Sequence, residues 1–471
     1  MYEDKVEFGD FQTPQQLTDE ICKLVSDLKP KGLIEPTCGT GNFLFSALNN
    51  FKGIKKAICL DINDQYIKQV KLKLKNSKHR EKVKVYREDY FKFDWEKVVK
   101  DTPEPVLIVG NLPWVSNSKL SILESSNLPR KGNFHKRKGI EAITGKSNFD
   151  ISEWILIDMV KWLQKKDGYL VMLCKTSVAR KLLEFIWTNN FRVNNTSIYP
   201  IDAKKHFGVS VDACLFKCEF TSNLKSYSCD FFNSISSHSK KYEIGFVDGQ
   251  IVANINDYLK LKYLSGNDNY KWRSGIKHDN SRVMELTKLN DNTYVNGLGE
   301  TIELEDNYLY PLVKSSDLAN GSKPRKWVIV TQHQVGQNTS DIENKAPKTW
   351  KYLIKHKQLF DKRKSSIYKN KPSFSIFGVG DYTFKPYKIA ISGLYKQLNF
   401  KLLNVYEGKP IMLDDTSYFL SFDKEKEAQK IHKALSSQKV NTFYGSMIFW
   451  DNKRPITANV LEKLNIEQLL I

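Results

Sequence analysis

Glycines and acidic residues follow the first three apolar runs of the chain, at points where the strands of an α/β sheet would end. The first run leads into a turn with Gly39 and Gly41, which allow a sharp bend and a close approach of backbone to a ligand. Asp61 ends the second run, where a carboxylate can accept both hydroxyls of a ribose. Asp89 and Tyr90 follow the third run and suit the reading and stacking of an adenine ring. The third glycine of the dinucleotide-binding fingerprint is absent, so the pattern indicates a nucleoside cofactor without a pyrophosphate.

A fourth apolar run, VLIVG, ends in the tetrapeptide Asn111, Leu112, Pro113 and Trp114. Ligands of open α/β sheets bind at the carboxyl ends of the strands, where all four of these segments fall. Taken alone, the tetrapeptide also suits a simple turn, and each carboxylate also suits a helix cap or a solvated loop. The four strand ends together favour one binding site.

A sheet must bring these residues together, and the first half of the chain has the pattern of one. Short apolar runs alternate with helical patterns such as residues 15–28, for which Thr13 and Pro14 supply an N-cap and a first helical residue. The seven strand candidates are 32–35, 56–62, 83–88, 105–110, 168–175, 195–201 and 213–220. Strands separated by helices predict a mostly parallel sheet, and the last two candidates, joined by a short loop, predict a terminal antiparallel hairpin.

We therefore predict a doubly wound, Rossmann-like α/β domain with a seven-stranded sheet over residues 1–220. From about residue 221 the chain changes to polar, turn-rich segments such as YLSGNDNY, and the alternation of strand and helix is lost. This change predicts a second domain, of α+β class, over residues 221–471.

Composition restricts the class of protein further. The 471 residues include 73 Lys and Arg against 53 Asp and Glu, and this net charge of +20 favours polyanionic partners. No apolar run approaches the ~20 residues of a membrane span, and the acidic N-terminus differs from a signal peptide, so we expect a cytoplasmic protein without a membrane partner. The seven cysteines lack paired CxxC spacings, which indicates reduced thiols rather than disulfides or a metal site.

The order of these motifs resembles that of a known family, the gamma-class DNA amino-methyltransferases. Motifs X, I, II, III and IV of that family are similar to the segments FGDFQTP, IEPTCGTGNF, LDIN, REDYF and NLPW, and the match covers residues 8 to about 220. Leu112 departs from the family pattern, which commonly has proline at that position. The resemblance implies S-adenosyl-L-methionine as the cofactor and a C-terminal domain that recognises the DNA target.

The resemblance also implies the residues that surround this cofactor. They are Thr13, Pro14, Glu35, Pro36, Gly39, Gly41, Asp61, Ile62, Asp89 and Tyr90. Within this set, Thr13 and Pro14 would close over the methionine end of the cofactor, and Glu35 would lie near its amino group.

The chemistry of the family explains the residue types of NLPW. The exocyclic amino group of adenine or cytosine is a poor nucleophile, because its lone pair is delocalised into the ring. The side-chain oxygen of Asn111 and the carbonyl of Leu112, followed by Pro113, would hold its two N–H bonds and turn the lone pair toward the methyl group. Trp114 would stack on the flipped target base and Phe207 on its other face, although Phe207 equally suits a core position.

Two basic stretches are candidate DNA-binding surfaces. Residues 119–149, directly after NLPW, lack a clear core pattern, and long loops of this kind are functional or disordered. Residues 351–400 contain eleven Lys and Arg against two acidic residues, interleaved with ten aromatic residues. The candidate phosphate contacts are Arg130, Lys131, Lys136, Arg137, Lys138, Arg363, Lys364, Lys369 and Lys371. The alternatives are a solvated basic loop in the first stretch and core positions for most aromatic residues in the second.

These features predict a DNA adenine-N6 methyltransferase that acts on double-stranded DNA as a monomer. In a prokaryotic type II restriction–modification system it would protect DNA from a cognate restriction endonuclease, which is a functional partner and need not bind it. Four alternatives stay open: methylation of cytosine N4, methylation of RNA, methylation of a protein glutamine, and a catalytically inactive DNA-specificity subunit. We expect no nuclease activity, because the second half lacks a convincing pair of acidic residues with a lysine.

Overall fold

In the computed structural model, which describes residues 11–114, 150–321 and 323–471, the apolar runs of the first half form the centre of one mixed sheet. Its strands are β1 (Gly32–Glu35), β2 (Lys56–Asp61), β3 (Val83–Arg87), β4 (Val106–Asn111), β5 (Gly168–Lys175), β6 (Asn194–Ile201), β7 (Ala213–Phe220), β8 (Ser228–Phe232), β9 (Lys240–Val247) and β10 (Gln250–Val252). All residues of β1 are buried, as are those of β4 up to its last residue. Such continuous burial is typical of parallel strands that are covered on both faces.

The strand order places two strand ends next to each other. Along the sheet the order is β10-β9-β8-β6-β7-β5-β4-β1-β2-β3, and β1 pairs in parallel with both β2 and β4. Because the chain order reverses between β1 and β4, the crevice for a ligand lies at their carboxyl ends. All seven predicted strands are present, and β7 runs antiparallel to β6 as the predicted hairpin requires.

Helices cover this sheet. They are α1 (Gln15–Leu24), α2 (Asn42–Asn50), α3 (Asp64–Lys75), α4 (Trp95–Lys100), α5 (Ile151–Leu163), α6 (Thr176–Thr188) and α7 (Ala203–Phe207). Leu17 of α1 and Phe43 of α2 pack with Leu107 of β4 in one apolar core. Helix α1 ends earlier than predicted, and Pro14 is its N-cap residue without a side-chain hydrogen bond, so the expected capping by Thr13 is absent.

The boundary between the two parts of the chain was predicted at the wrong place. The structure divides after Ile255 rather than at residue 220, because β8 pairs with β6 and, together with β9 and β10, extends the first sheet to ten strands. These strands lie toward the edge of the sheet and are only partly buried, so their polar composition resembles that of loops.

The second unit has two mostly antiparallel sheets and a set of short helices. Its strands are β11 (Arg273–Ser274), β12 (Glu285–Asn290), β13 (Thr293–Val295), β14 (Thr301–Glu303), β15 (Leu309–Val313), β16 (Lys326–Ile329), β17 (Tyr387–Ser392), β18 (Lys401–Leu403), β19 (Met412–Leu413) and β20 (Ser417–Phe422). They form a six-stranded sheet of order β14-β13-β12-β16-β15-β19 and a four-stranded sheet of order β11-β20-β17-β18. Every pair is antiparallel except β15 with β19.

The remaining helices lie in the second unit, except that α8 begins at Ile255, the last residue of the first unit. They are α8 (Ile255–Leu261), α9 (Ser281–Met284), α10 (Ser315–Asn320), α11 (Ile342–Lys345), α12 (Pro347–Lys355), α13 (Lys357–Asp361), α14 (Glu425–Leu435), α15 (Gln438–Met447), α16 (Ala458–Leu461) and α17 (Ile466–Leu469). Short 3-10 helices span Arg80–Lys82, Lys262–Leu264, Asp306–Tyr308, Ser366–Tyr368 and Asp381–Phe384.

Three further findings concern membrane spans, cysteines and metal ligands in the described residues. Across the described ranges, every helix is too short or too polar to cross a bilayer. All seven cysteines fall within these ranges, and each is buried with a free thiol. No group of three or more His, Cys, Asp or Glu side chains in the described part of the chain is placed to hold a metal ion.

One buried lysine makes the stability of the second unit dependent on pH. Lys388 in β17 is 1% exposed, and its Nζ donates to the carbonyl of Lys385 at 2.8 Å. Burial lowers the pKa of Lys388 to about 7, whereas an unfolded chain has a lysine pKa of about 10.4. Between these values the unfolded state binds more protons, so the destabilising effect is complete below pH 7 and disappears as the pH rises toward 10.

Replacing this lysine should stabilise the protein. We expect Lys388→Met to raise the free energy of unfolding by on the order of 2–4 kcal/mol at pH 7, and by much less near pH 10. Urea unfolding of the full chain, followed by circular dichroism at both pH values, measures this difference. Lys396→Met, at an exposed lysine, is the matched control. An equal gain at both pH values would show that titration of Lys388 is not the cause.

Candidate active site

Two glycines with positive φ shape the turn between β1 and α2. Gly39 has a φ of +50° and Gly41 of +79°, and the N–H of Gly41 donates to the carbonyl of Cys38 at 2.8 Å. A Cβ added to Gly39 would lie 2.3 Å from Oε1 of Gln12. The expected tight turn is therefore present and brings bare backbone to the carboxyl edge of the sheet.

Asp61, at the end of β2, joins this turn to the neighbouring strand. Its Oδ2 accepts the N–H of Gly39 at 2.8 Å, and its Oδ1 accepts the N–H of Asn63 at 2.8 Å. Both carboxylate oxygens therefore accept backbone N–H groups at this edge of the sheet, which fixes the orientation of the side chain. The next residue, Ile62, is 54% exposed and gives the site an apolar surface beside Asp61.

One carboxylate oxygen of Asp89 is buried without a hydrogen bond. Its Oδ1 accepts the N–H of Phe91 at 3.0 Å, whereas Oδ2 accepts from no donor in the described part of the chain and lies 4.0 Å from Nζ of Lys92. A buried acceptor without a donor costs about 1–3 kcal/mol. This oxygen is therefore suited to an N–H group of a ligand.

Tyr90 lies in the core rather than at the surface of the site. The centroid of its ring lies 5.4 Å from that of Trp95 and 6.4 Å from that of Trp162, and burial raises the pKa of its hydroxyl well above the usual value. Its backbone carbonyl accepts a hydrogen bond from the indole of Trp95 at 3.0 Å. These contacts correct the expectation that Tyr90 stacks on an adenine, because a tyrosine after a strand suits a core position equally well.

Glu35 is a buried carboxyl at the end of β1. It is 2% exposed, its Oε2 accepts the N–H of Leu44 at 2.9 Å, and the buried Pro36 follows it. Burial raises the pKa of Glu35 well above its usual value. A cationic group bound next to it would favour the charged form and lower that pKa again.

The segment from Phe11 to Thr13 connects the glycine turn to β4. Oε1 of Gln12 accepts the N–H of Thr40 at 3.0 Å, and the carbonyl of Thr13 accepts from Nδ2 of Asn42 at 2.8 Å. The carbonyl of Phe11 accepts a hydrogen bond from Nδ2 of Asn111. Gln12 and Phe11 were not singled out from the sequence, since each acts across a long separation in the chain that no local pattern reveals.

Asn111 presents a free acceptor at the end of β4. Its Nδ2 donates to the carbonyl of Phe11 at 3.0 Å, and its Oδ1 is buried without a hydrogen bond in the described residues. Because a carbonyl can only accept, this bond fixes which end of the amide is the nitrogen and leaves Oδ1 for another donor. The side chain of Leu112 is 1% exposed, and the half-buried Pro113 leads to Trp114.

Trp114 and Phe207, the predicted pair of base-stacking rings, are in contact with each other. Their ring centroids are 5.1 Å apart at an interplanar angle of 75°, and Phe11 lies 5.6 Å from Trp114 and 6.1 Å from Phe207. Because the two rings touch edge to face, a flat base fits between them only after one ring has moved. The indole Nε1 of Trp114 is buried and lacks an acceptor within the described ranges.

Lys175 holds the carbonyl of Trp114 and is itself held by Asp150, and neither residue was predicted from the sequence. Nζ of Lys175, at the end of β5, donates to this carbonyl at 3.0 Å and to Oδ2 of Asp150 at 2.5 Å. Oδ1 of Asp150 in turn accepts from Ser152. A lysine at the end of the strand next to β4 was the only available signal, because Asp150 is distant in the chain.

The predicted phosphate contacts have different outcomes. Arg130, Lys131, Lys136, Arg137 and Lys138 lie outside the described residues. Arg363 is half-buried, and its guanidinium donates to the carbonyls of His278 at 3.1 Å and Ser375 at 2.7 Å. Its centre lies 3.6 Å from the ring centroid of Tyr368, so Arg363 is a structural residue and its assignment to a phosphate was wrong. Lys364, Lys369 and Lys371 are exposed, and no described carboxylate pairs with them.

Comparisons with known proteins show the family. No protein-family model matches the chain. It is 47% identical over 470 residues to the type II methyltransferase M.NspV of Nostoc sp. (strain ATCC 29411 / PCC 7524), and the match covers 99% of this chain and 97% of the relative. It is also similar in fold to the type IIL restriction–modification enzyme MmeI, whose structure is in complex with DNA, with a TM-score of 0.53 and 12% identity. That match covers 95% of this chain and 64% of the MmeI chain.

The mixed sheet and the glycine turn at its switch point define an S-adenosylmethionine-dependent methyltransferase fold. Because it is 47% identical to M.NspV over nearly the full length of both chains, the chain belongs to the type II methyltransferases of restriction–modification systems. S-adenosylmethionine is its cofactor. The described residues fit this molecule, which carries an amino group on its adenine and an ammonium group on its methionine. Oδ2 of Asp89 accepts no hydrogen bond from the described residues, and Glu35 is a buried acid whose charged form such a cation would stabilise.

Removing the lysine that holds Trp114 should slow methyl transfer. We expect Lys175→Met to lower kcat while the affinity for the cofactor is unchanged, because the carbonyl of Trp114 loses its donor and the cofactor turn is untouched. Single-turnover transfer of a labelled methyl group and calorimetric titration of the cofactor measure the two quantities.

A second variant separates this positioning effect from a loss of stability. Lys175→Met leaves Asp150 buried without its cation, which costs about 1–3 kcal/mol of stability. Adding Asp150→Asn removes that charge and should restore the melting temperature but not kcat. Recovery of kcat together with stability would contradict the positioning role of Lys175.

Proposed function

We propose that the chain transfers a methyl group to the exocyclic N6 of adenine in double-stranded DNA at specific sequences. One observation carries this proposal: among the described residues, Oδ1 of Asn111 is a buried acceptor without a donor, at the end of the strand beside the cofactor turn. An amino-methyltransferase needs such an acceptor, whereas methylation of a ring carbon does not.

The acceptors act on the target nitrogen by hydrogen bonding. Oδ1 of Asn111 would accept one N–H of the adenine amino group, and the carbonyl of Leu112 would accept the other. Two acceptors placed in this way localise the lone pair on nitrogen and stabilise the positive charge that develops there during transfer. Because Nδ2 of Asn111 is held by Phe11, the amide is oriented before the base arrives.

The chain's own residues would hold and orient the cofactor. When bound, S-adenosylmethionine supplies an electrophilic methyl group on its sulfonium. Asp89 would accept from the amino group of its adenine, Asp61 from its ribose, and the exposed Ile62 would cover the face of the ring. Glu35 would lie near its ammonium group, with Thr13 and Pro14 at the methionine end.

The aromatic pair would receive the flipped base. Trp114 would stack on one face and Phe207 on the other, which requires the two rings to separate. Phe207 is the last residue of the short helix α7 and is followed by Gly208, with a φ of +73° and no atom within 4 Å of an added Cβ. Because Phe207 is less deeply buried than Trp114, we assign the motion to Phe207.

In the cell, the enzyme would act in the prokaryotic cytoplasm as the modification partner of a restriction endonuclease. Methylation of the recognition site would protect it from cleavage by the cognate endonuclease. A single flipped base needs one catalytic site, so a monomer is sufficient for the reaction.

Removing the amide of Asn111 tests the proposal. We expect Asn111→Ala to lower labelled-methyl transfer to unmethylated duplex DNA by about 10²-fold or more while the cofactor still binds. Asn111→Asp keeps an oxygen acceptor but loses the donor to Phe11, so it should retain more activity than the alanine variant. Asn49→Ala, at an exposed asparagine in α2, is the matched control. Full transfer by Asn111→Ala would refute the assigned role.

A further inference from the structure

An exposed polar loop in the second unit is held by buried polar side chains. Residues 333–338, which we call the recognition loop, are all exposed, whereas Thr331, Gln332 and Thr339 beside them are at most 2% exposed. Buried polar side chains need partners, so their bonds show what they fix. An exposed loop with a buried polar stem is a rigid platform for side chains at its tip.

The stem is bonded to one neighbouring segment, residues 373–376. Oγ1 of Thr331 donates to the carbonyl of Phe374 at 2.7 Å, and Oγ1 of Thr339 donates to that of Ser373 at 2.6 Å. The amide of Gln332 is used at both ends. Its Oε1 accepts the N–H of Ile376 at 2.9 Å, and its Nε2 donates to the carbonyl of Gln337 at 2.5 Å.

The loop is also braced internally. Oε1 of Gln337 accepts the N–H of His333 at 2.8 Å, and the ring of His333 stacks on Phe384 with centroids 4.2 Å apart. Gly336 has a φ of +88°, which turns the chain at the tip. Gln334 and Val335 are exposed, and within the described ranges the side-chain amide of Gln334 has no hydrogen bond.

The chemistry of the tip matches that of base edges in the major groove. A glutamine amide can bond an adenine at two positions, and an apolar side chain can contact the methyl group of thymine. Val335 is 46% exposed although it is apolar, and the exposed side-chain amide of Gln334 has no hydrogen bond within the described ranges, so both are available to a partner. Hydrogen bonding by Asn338 is partly used within the loop, since its Oδ1 accepts the N–H of Ser340 at 3.1 Å.

Exposed lysines lead directly into the stem. Lys371 lies two residues before Ser373, and Lys364 and Lys369 precede it in the same segment. Arg363 fixes the start of this segment, because its guanidinium donates to the carbonyl of Ser375 at 2.7 Å. The acidic Asp341 after the loop is balanced by Lys345, whose Nζ lies 3.6 Å from it. The loop therefore has a positive neighbour and no uncompensated acid in its stem.

We infer that the recognition loop reads base edges of duplex DNA through Gln334 and Val335, while Lys364, Lys369 and Lys371 contact the neighbouring phosphates. This inference rests on the proposed function for its choice of DNA as the partner. Phosphate contacts position a protein on the duplex, and contacts to base edges supply specificity. The loop and the lysines should therefore fail in different ways when they are changed.

Selection from a random pool of duplexes tests the loop without any methyl transfer. The full chain is incubated with the pool, the bound fraction is sequenced, and affinities are then measured by fluorescence anisotropy. Wild type should enrich one motif. Gln334→Ala should lower the preference at one or two positions of that motif by about 5- to 150-fold, with the melting temperature and cofactor affinity unchanged. Gln397→Ala, at an exposed glutamine, is the control and should leave the motif intact.

The lysines should show the opposite behaviour. Lys369→Ala and Lys371→Ala should keep the motif, weaken binding about equally for all sequences, and each reduce the salt slope of log Kd by about one. Lys426→Ala, at an exposed lysine in α14, should change neither quantity.

Three results would overturn the inference: an unchanged motif in Gln334→Ala, an unaltered salt slope in both lysine variants, or competition by RNA as strong as that by duplex DNA. A wild-type chain that enriches a motif yet methylates no adenine would refute the proposed function alone, and the effect of Gln334→Ala on that motif would still decide the role of the loop.

Discussion

The hydrogen bond from Nδ2 of Asn111 to the carbonyl of Phe11 joins two distant segments of the first unit. It orients the amide at the end of β4, and the two residues after Phe11 bond to the glycine turn that follows β1. The segment 11–13 thereby connects the glycine turn to the end of β4. Parallel pairing of β1 with β4 brings these two elements close enough for such a short segment to connect them.

The same region contains several buried polar atoms that lack a hydrogen bond among the described residues. Oδ2 of Asp89, Oδ1 of Asn111 and Nε1 of Trp114 are of this kind. Each lowers the free energy of unfolding by about 1–3 kcal/mol, which is a large fraction of the net stability of a typical domain. Such atoms persist where a ligand satisfies them, so their grouping around the strand ends indicates a site that is completed by its substrates. Lys388, buried with its pKa lowered to about 7, is a comparable cost in the second unit, and its carbonyl partner only partly offsets it.

Much of the catalytic unit could be predicted because strand ends in a parallel sheet converge regardless of detail. That rule placed Gly39, Asp61 and Asn111 correctly at one edge. It does not say which way a ring turns, and Tyr90 therefore packs into the core although its position in the chain suited a ligand. Gln12 and Lys175 act across long separations in the chain, so no local pattern reveals what they contact.

The second unit was harder to predict, because its composition gave the charge but not the contacts. Arg363 belongs to a strongly basic segment, yet its guanidinium donates to backbone carbonyls. Edge strands β8 to β10 resemble loops in composition, and only their pairing with β6 shows that they belong to the first sheet. The buried Gln332 that holds the recognition loop could not be distinguished from its exposed neighbours Gln334 and Gln337 by residue type.

Nucleoside mass spectrometry tests most directly the central claim, that Asn111 accepts a hydrogen bond from the exocyclic amino group of the target base. Unmethylated DNA is incubated with the purified chain and isotopically labelled S-adenosylmethionine, and then digested to nucleosides. We predict that the label appears in N6-methyladenine. Label in 5-methylcytosine, or no label in DNA, would contradict the claim.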